Sequence, residues 1–233
     1  MDLKDVIAEL RRMADPSVVI GLSRFGLPTE KALGITAPKL RALAKKIGKD
    51  QALSLQLWRT GIPESRVLAA LVGDPDAVSK RQMSQWAGKF DSWGVCDACC
   101  VVLFANTPHA MEMAFRWSRD RREFVKRAGF VLMAGMAVHQ KDLRDREFIP
   151  MLKRIQAESE DERWFAKKGA NWALRQIGKR TPELNVLAIE TATKIRSLNS
   201  SAAKWIASDA LRELQSDAVQ NRLKAKLKRL KSR

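Results

Sequence analysis

Apolar residues along this chain recur three and four positions apart, and almost nowhere do they alternate one by one. In residues 160–179, for example, Ala166, Ala170, Ala173 and Ile177 fall on one side of a helix of 3.6 residues per turn. Strand-type alternation is missing and there is no Tyr, so the pattern predicts an all-α chain. Proline and glycine punctuate it at Asp15-Pro16, Leu27-Pro28, Ala37-Pro38, Ile62-Pro63, Asp74-Pro75, Thr107-Pro108, Ile149-Pro150 and Thr181-Pro182. Thr107, Asp74 and Thr181 read as N-caps of the helices they precede. The predicted helices are 2–14, 17–24, 37–47, 50–60, 63–73, 75–89, 92–106, 108–118, 121–138, 145–158, 160–179, 181–197, 199–215 and 216–230. Connections this short pair helices into antiparallel hairpins of roughly 35 to 40 residues, the period of HEAT-type repeats. A curved solenoid with a concave basic face is preferred here to a compact bundle.

Length sets the domain count. A chain of 233 residues, 45% hydrophobic, buries a substantial core, and residues 1–221 read as a single HEAT-like domain. Residues 222–233 (RLKAKLKRLKSR) form a basic amphipathic tail with Leu223, Leu227 and Leu230 on one side. Such a helix suits DNA or a frayed end better than a membrane surface. Taking its seven cations from the formal charge of +17 leaves +10, so the body is basic too. That excess points to nucleic acid or another polyanion as partner. No apolar run approaches the ~20 residues of a membrane span, and the first residues read as an amphipathic helix, so a cytoplasmic protein is expected. A repeat solenoid needs no second copy, and a monomer is expected.

Against this basic background one acid stands out. Residues 93–106 (WGVCDACCVVLFAN) are uncharged except for Asp97, which comes one helical turn after Trp93. A carboxylate on a helix otherwise fit for burial is costly unless paired or used. Cys96, Cys99 and Cys100 lie on the same helix; with only His109 and His139 elsewhere and no ligand spacing, they read as packing thiols rather than zinc or redox groups. In residues 121–138, Lys126 and Arg127 open a long apolar run, and Arg127 suits either a phosphate or a salt bridge to Asp97. In 160–179, Trp164, Lys168, Trp172, Arg175 and Lys179 share a side away from the alanines. Interleaved indoles and cations are what a nucleic-acid surface needs, though Trp172 fits half-buried packing equally well.

These segments resemble a known family. Trp93-x-x-x-Asp97, Lys126-Arg127-Ala128 and Lys168-Gly-Ala-Asn-Trp172-Ala-Leu-Arg175, with the upstream Leu33-Gly34-Ile35-Thr36-Ala37-Pro38-Lys39-Leu40-Arg41, are similar in order and content to the AlkD-type DNA alkylation repair glycosylases. The resemblance implies a HEAT-like solenoid that grips alkylated double-stranded DNA and excises cationic N3- and N7-alkylpurines without metal or cofactor. It implies that Trp93 and Trp172 flank the lesion's deoxyribose, that Asp97 stabilises the cationic sugar and positions water, and that Arg127 holds a phosphate. Arg175 and the lysines around it, with Lys126, Lys168, Lys179 and Trp164, are implied as further DNA contacts. In that family the lesion stays in the duplex, unlike the base flipping of most glycosylases. Gly94 stands where the family commonly has Asp, and the region before residue 30 is short. The competing expectations are a HEAT-like DNA- or RNA-binding protein without catalysis and a protein-interaction scaffold.

Overall fold

Proline at the first helical turn and short polar caps start most of the helices. The computed structural model describes residues 1–22, 24 and 27–231, with side chains placed to residue 228. Among these the elements are α1 (Leu3–Arg12), α2 (Pro16–Leu22), α3 (Ala37–Ile47), α4 (Gln51–Arg59), α5 (Pro63–Val72), α6 (Lys80–Ala87), α7 (Trp93–Ala98), α8 (Ala110–Trp117), α9 (Glu123–His139), α10 (Ile149–Ala157), α11 (Trp164–Gly178), α12 (Pro182–Arg196), α13 (Ser201–Leu214) and α14 (Asp217–Lys231). No strand occurs among the described residues. The side chains of Asp50, Ser79, Thr181 and Ser200 each accept an N–H from the residue three positions on, as N-caps do.

The chain divides into two compact units, residues 1–109 and 110–233, where the sequence suggests one domain to residue 221. In the first, α3, α5 and α7 pack in succession, α4 pairs with α5, and α1 lies against α4 and α5. Leu10, Leu57, Leu68, Met83, Leu103 and Phe104 are fully buried in its core. In the second unit α9, α11 and α13 form one row, and α10, α12 and α14 run in sequence beside it. Consecutive helices pair between the rows, as in a stack of helical hairpins. Phe130, Met133, Met136 and Phe148 fill that core. Gly129 lets α9 run against the end of α8, since a Cβ there would lie 2.3 Å from the Ser118 amide nitrogen. The basic tail is the continuation of α14, anchored by buried Val219 and Leu223; residues 232 and 233 lie outside the described residues.

Several predicted helices differ in the structure: the one expected at 145–158 opens as a 3-10 turn, Asp145–Glu147, before α10. Asp74 caps only a 3-10 turn, Pro75–Ala77, and Ser79 restarts the chain as α6. The helix expected at 92–106 is α-helical only to Ala98; it widens into a π turn, Cys99–Leu103, and tightens to a 3-10 turn, Phe104–Asn106. The expected helix at 17–24 ends at Leu22, and position 23 lies outside the described residues. No helix of the described residues is long and apolar enough to cross a membrane.

Candidate nucleic-acid interface

Ser92 ends an extended stretch and α7 begins at Trp93. Val95 and Cys96 turn into the core, while Trp93 and Asp97, one turn apart, are both half-buried. The indole and the carboxylate thus share the open side of a helix with no other charge. The π turn comes immediately after, a widening that recurs near functional sites because it re-aims side chains. It carries Cys99, Cys100 and Leu103 into the core. All three thiols are buried and none is in a disulfide, and burial pushes those of Cys99 and Cys100 well above the usual range. Buried in this way, they pack as small apolar groups.

The glycine-containing segment upstream has a structural reason for its residues. Gly34 has φ +74°, and a Cβ there would stand 2.1 Å from the Asp15 carbonyl oxygen. The backbone amides of Leu33, Gly34 and Ile35 all donate to Oε1 of Glu64, at 3.0, 2.7 and 3.4 Å. Sequence reasoning missed Glu64. In the first turn of α5 it reads as an ordinary helix-start acid, whereas it is buried and clamps a loop about 30 residues away.

In the second unit Lys126 and Arg127 leave the first turns of α9 in different directions. The Lys126 ammonium lies 2.8 Å from carboxylate oxygens of both Glu158 and Asp161, its side chain 8% exposed. Burial raises the Asp161 carboxyl, but hydrogen bonds from Arg163 and then Lys126 outweigh it and hold the group well below the usual carboxylate range. Arg127 is buried; its Nη1 donates to the Phe165 carbonyl at 3.1 Å, and its stem lies against Gly169 of α11. Glu123 completes the join by accepting the Phe165 amide at 2.7 Å.

Along α11 the two sides separate as the sequence suggests: Ala166, Ala170, Ala173 and Ile177 are fully buried. Trp164, at the start, is 50% exposed. The ammonium groups of Lys168 and Lys167 lie 4.7 and 5.2 Å from its ring centroid, and the Trp205 ring is 5.9 Å away. Glu162 holds the start of α13 beside this cluster by accepting from the Ser200 and Ser201 hydroxyls and the Ala202 amide. Trp172 is half-buried in the middle of the helix. At the far end Arg175 and Lys179 converge on Glu213 of α13, and Asp209 lies 3.6 Å from the same Arg175 nitrogen. Trp164 and Lys168 are therefore joined with Lys167 and Trp205, two residues that sequence reasoning missed. Their signal was available in part: Lys167 adjoins Lys168, but Trp205 lies on a different helix.

Comparison with known proteins bears on the family and the fold. A family model described as "DNA alkylation repair enzyme" matches residues 6–214. No curated protein matches the chain. A solved structure described as "A new family of proteins related to the HEAT-like repeat DNA glycosylases with affinity for branched DNA structures" aligns with a TM-score of 0.77 and 21% identity, over 91% of this chain and 95% of that one. At that identity the likeness speaks for the fold alone: this chain has the all-α, HEAT-like fold of that relative.

Proposed function

We propose, for a chain that belongs to the DNA alkylation repair enzyme family, that it is an N-glycosylase releasing cationic N3- and N7-alkylpurines from duplex DNA. The observation that carries the reading is the pair on α7: a half-buried carboxylate, Asp97, one turn after a half-buried indole, Trp93, on an otherwise uncharged helix. An alkylated purine already bears a positive charge. When its glycosidic bond breaks, the electron pair leaves with the base, which becomes neutral, and the sugar is left as an oxocarbenium-like cation. Water then adds to the sugar carbon and gives up a proton. A carboxylate favours this path only where positive charge develops on the sugar, which is the requirement for lowering the barrier. The Trp93 face adds cation–π attraction of about 0.5–2 kcal/mol.

The second unit supplies grip on the strand in this reading. Arg127, oriented by the bond from its Nη1 to the Phe165 carbonyl, is the phosphate contact in this reading. Trp172 offers its half-buried indole to a sugar, while Trp164, Lys168, Arg175 and Lys179 are strand contacts. Lys126 takes a different part from the expected DNA contact: with its ammonium between two carboxylates, it fixes the turn that carries Arg127.

The test is release of 7-methylguanine from methylated duplex. Asp97→Asn keeps the side chain's shape and is expected to slow release by about 10²–10³-fold, the usual cost of removing one electrostatic stabiliser, with circular dichroism and duplex affinity unchanged. Wild-type protein that binds methylated duplex and frees no base would overturn excision. A second reading has its own support, the exposed Trp164–Lys168–Trp205 cluster and a structural relative described as having affinity for branched DNA. It is a binder of branched DNA without excision, and it predicts tighter binding of a four-way junction than of duplex and no abasic sites.

A further inference from the structure

The C-terminal basic helix has no part in the excision reading, yet two of its cations line a cavity of about 490 Å³ in the second unit. The charged groups around it are Lys141, Asp145, Lys179, Arg180, Arg222 and Lys226. Lys179 is neutralised by Glu213. Among the lining residues the other four cations have one carboxylate, Asp145, which is 4.0 Å from Nε of Arg180 and also accepts the Thr181 hydroxyl; Glu147 acts on Arg180 more weakly from outside the lining. Positive charge is in clear excess.

Part of this crowding has a structural use. Arg180 is half-buried, stacked on the Phe148 ring 4.7 Å from its centroid, and donates to the carbonyls of Ala137, Lys141 and Leu143 where the chain leaves α9. The Lys141 ammonium donates to the Val138 carbonyl. The Lys226 ammonium donates to the Arg180 carbonyl at 2.6 Å. Each ammonium has three N–H donors, so one capping bond leaves two for a ligand. Arg222 caps nothing: no hydrogen bond or ion pair holds its guanidinium among the described residues, yet it stands one turn before Lys226 on the same side of α14. Carbonyl capping accounts for Arg180 and Lys141 but not for Arg222.

We infer that this basin is a binding site for a phosphate group, completed by α14 through Arg222 and Lys226. An anion there removes the mutual repulsion of the four cations and engages Arg222 and the spare donors of Lys141 and Lys226. The Lys226 ammonium is held below its usual range first by burial, then by Arg180 and Lys141, and a bound anion opposes the repulsion from those two cations. The site is independent of Asp97 and of excision. The phosphate belongs either to a DNA backbone or to a small free ligand.

The full chain is titrated with inorganic phosphate and pyrophosphate at constant ionic strength, by calorimetry and by thermal midpoint, beside Arg222→Gln and the double variant Arg222→Gln/Lys226→Gln. Wild-type protein is expected to bind and to melt higher, with affinity falling about tenfold per cation removed. Duplex binding over a range of salt separates the sources. If a backbone phosphate occupies the basin, the double variant flattens the slope of log K against log salt by up to about 1.8. If a free phosphate does, the slope stays and only phosphate affinity falls. Arg222→Gln keeps the test sound should the double variant misfold, because that side chain supports nothing in the fold. Phosphate binding unchanged in Arg222→Gln, together with an unchanged salt slope, overturns the site.

Discussion

Lys126 and Lys168 carry the same charge, occur in two basic segments of the chain, and read alike from sequence as strand contacts. Their surroundings are opposite. Lys126 is 8% exposed, with carboxylates 2.8 Å away on two sides, so it cross-links α9 to the end of α10 and the segment just beyond it. Lys168 is exposed and lies over the half-exposed Trp164 ring, where its ammonium keeps its water and its reach. A cation's use is thus decided by whether an acid is folded against it. Arg175 and Lys179 fall between the extremes, bonded to Glu213 but 30% and 15% exposed.

The largest effect belongs to the buried member. Lys126→Met keeps the stem and removes the charge, leaving Glu158 and Asp161 facing each other. Breaking such a pair costs about 3–5 kcal/mol. The expected loss is about 3, the low end of that range, because Arg163 still holds Asp161 at 2.5 Å. Denaturant unfolding measures it, and a loss below about 1 kcal/mol would place Lys126 with the surface cations. The acid limb adds a second readout. The Asp161 carboxyl is depressed in the folded state. Its contribution is therefore fully present above the unfolded value of about 3.9 and is lost progressively as pH falls below it. In Lys126→Met that acid-side loss shrinks.

Much of the fold is legible in the chain, and the parts that are not have a physical pattern. The sequence predicts fourteen helices, and fourteen are found among the described residues. The apolar side of α11 is readable because helical periodicity is local. Within 75–89, two capping residues compete, and Asp74 gains a 3-10 turn while Ser79 gains the helix. The π widening after Ala98 has no sequence signal, since Cys, Val and Leu suit either turn. The pairing of Lys126 is hidden for a different reason: its partners lie 32 and 35 residues away, beyond any helical spacing. Glu64 and its three loop amides are hidden in the same way.

The intermediate pair sharpens the contrast. Glu213→Gln keeps the shape of the side chain but frees Arg175 and Lys179 from a negative partner. A stability loss of about 1.5 kcal/mol is expected, the low end for hydrogen bonds to charged groups, since Glu213 is 29% exposed. If these cations serve the strand, the salt slope of duplex binding steepens by up to about 1.8 in the variant. An unchanged slope would mean that their role is internal, as with Lys126.

The smallest effect on the fold is expected at the exposed end. Trp164→Ala removes a half-exposed ring that Lys167 and Lys168 cover and Trp205 adjoins. A surface change of this kind shifts stability by no more than about 0.5 kcal/mol. Its effect on binding is larger, because an indole supplies a flat face for a base or sugar: about 1 kcal/mol, roughly fivefold in affinity. No charge is lost, so the salt slope is expected to stay where it was. That combination, weaker binding at an unchanged slope, separates stacking from charge and is the opposite of what Glu213→Gln should give. Trp205→Ala tests whether the two rings act together. If they form one platform, the double variant loses less than the sum of the two single losses; full additivity would make Trp164 a lone contact and Trp205 a packing residue.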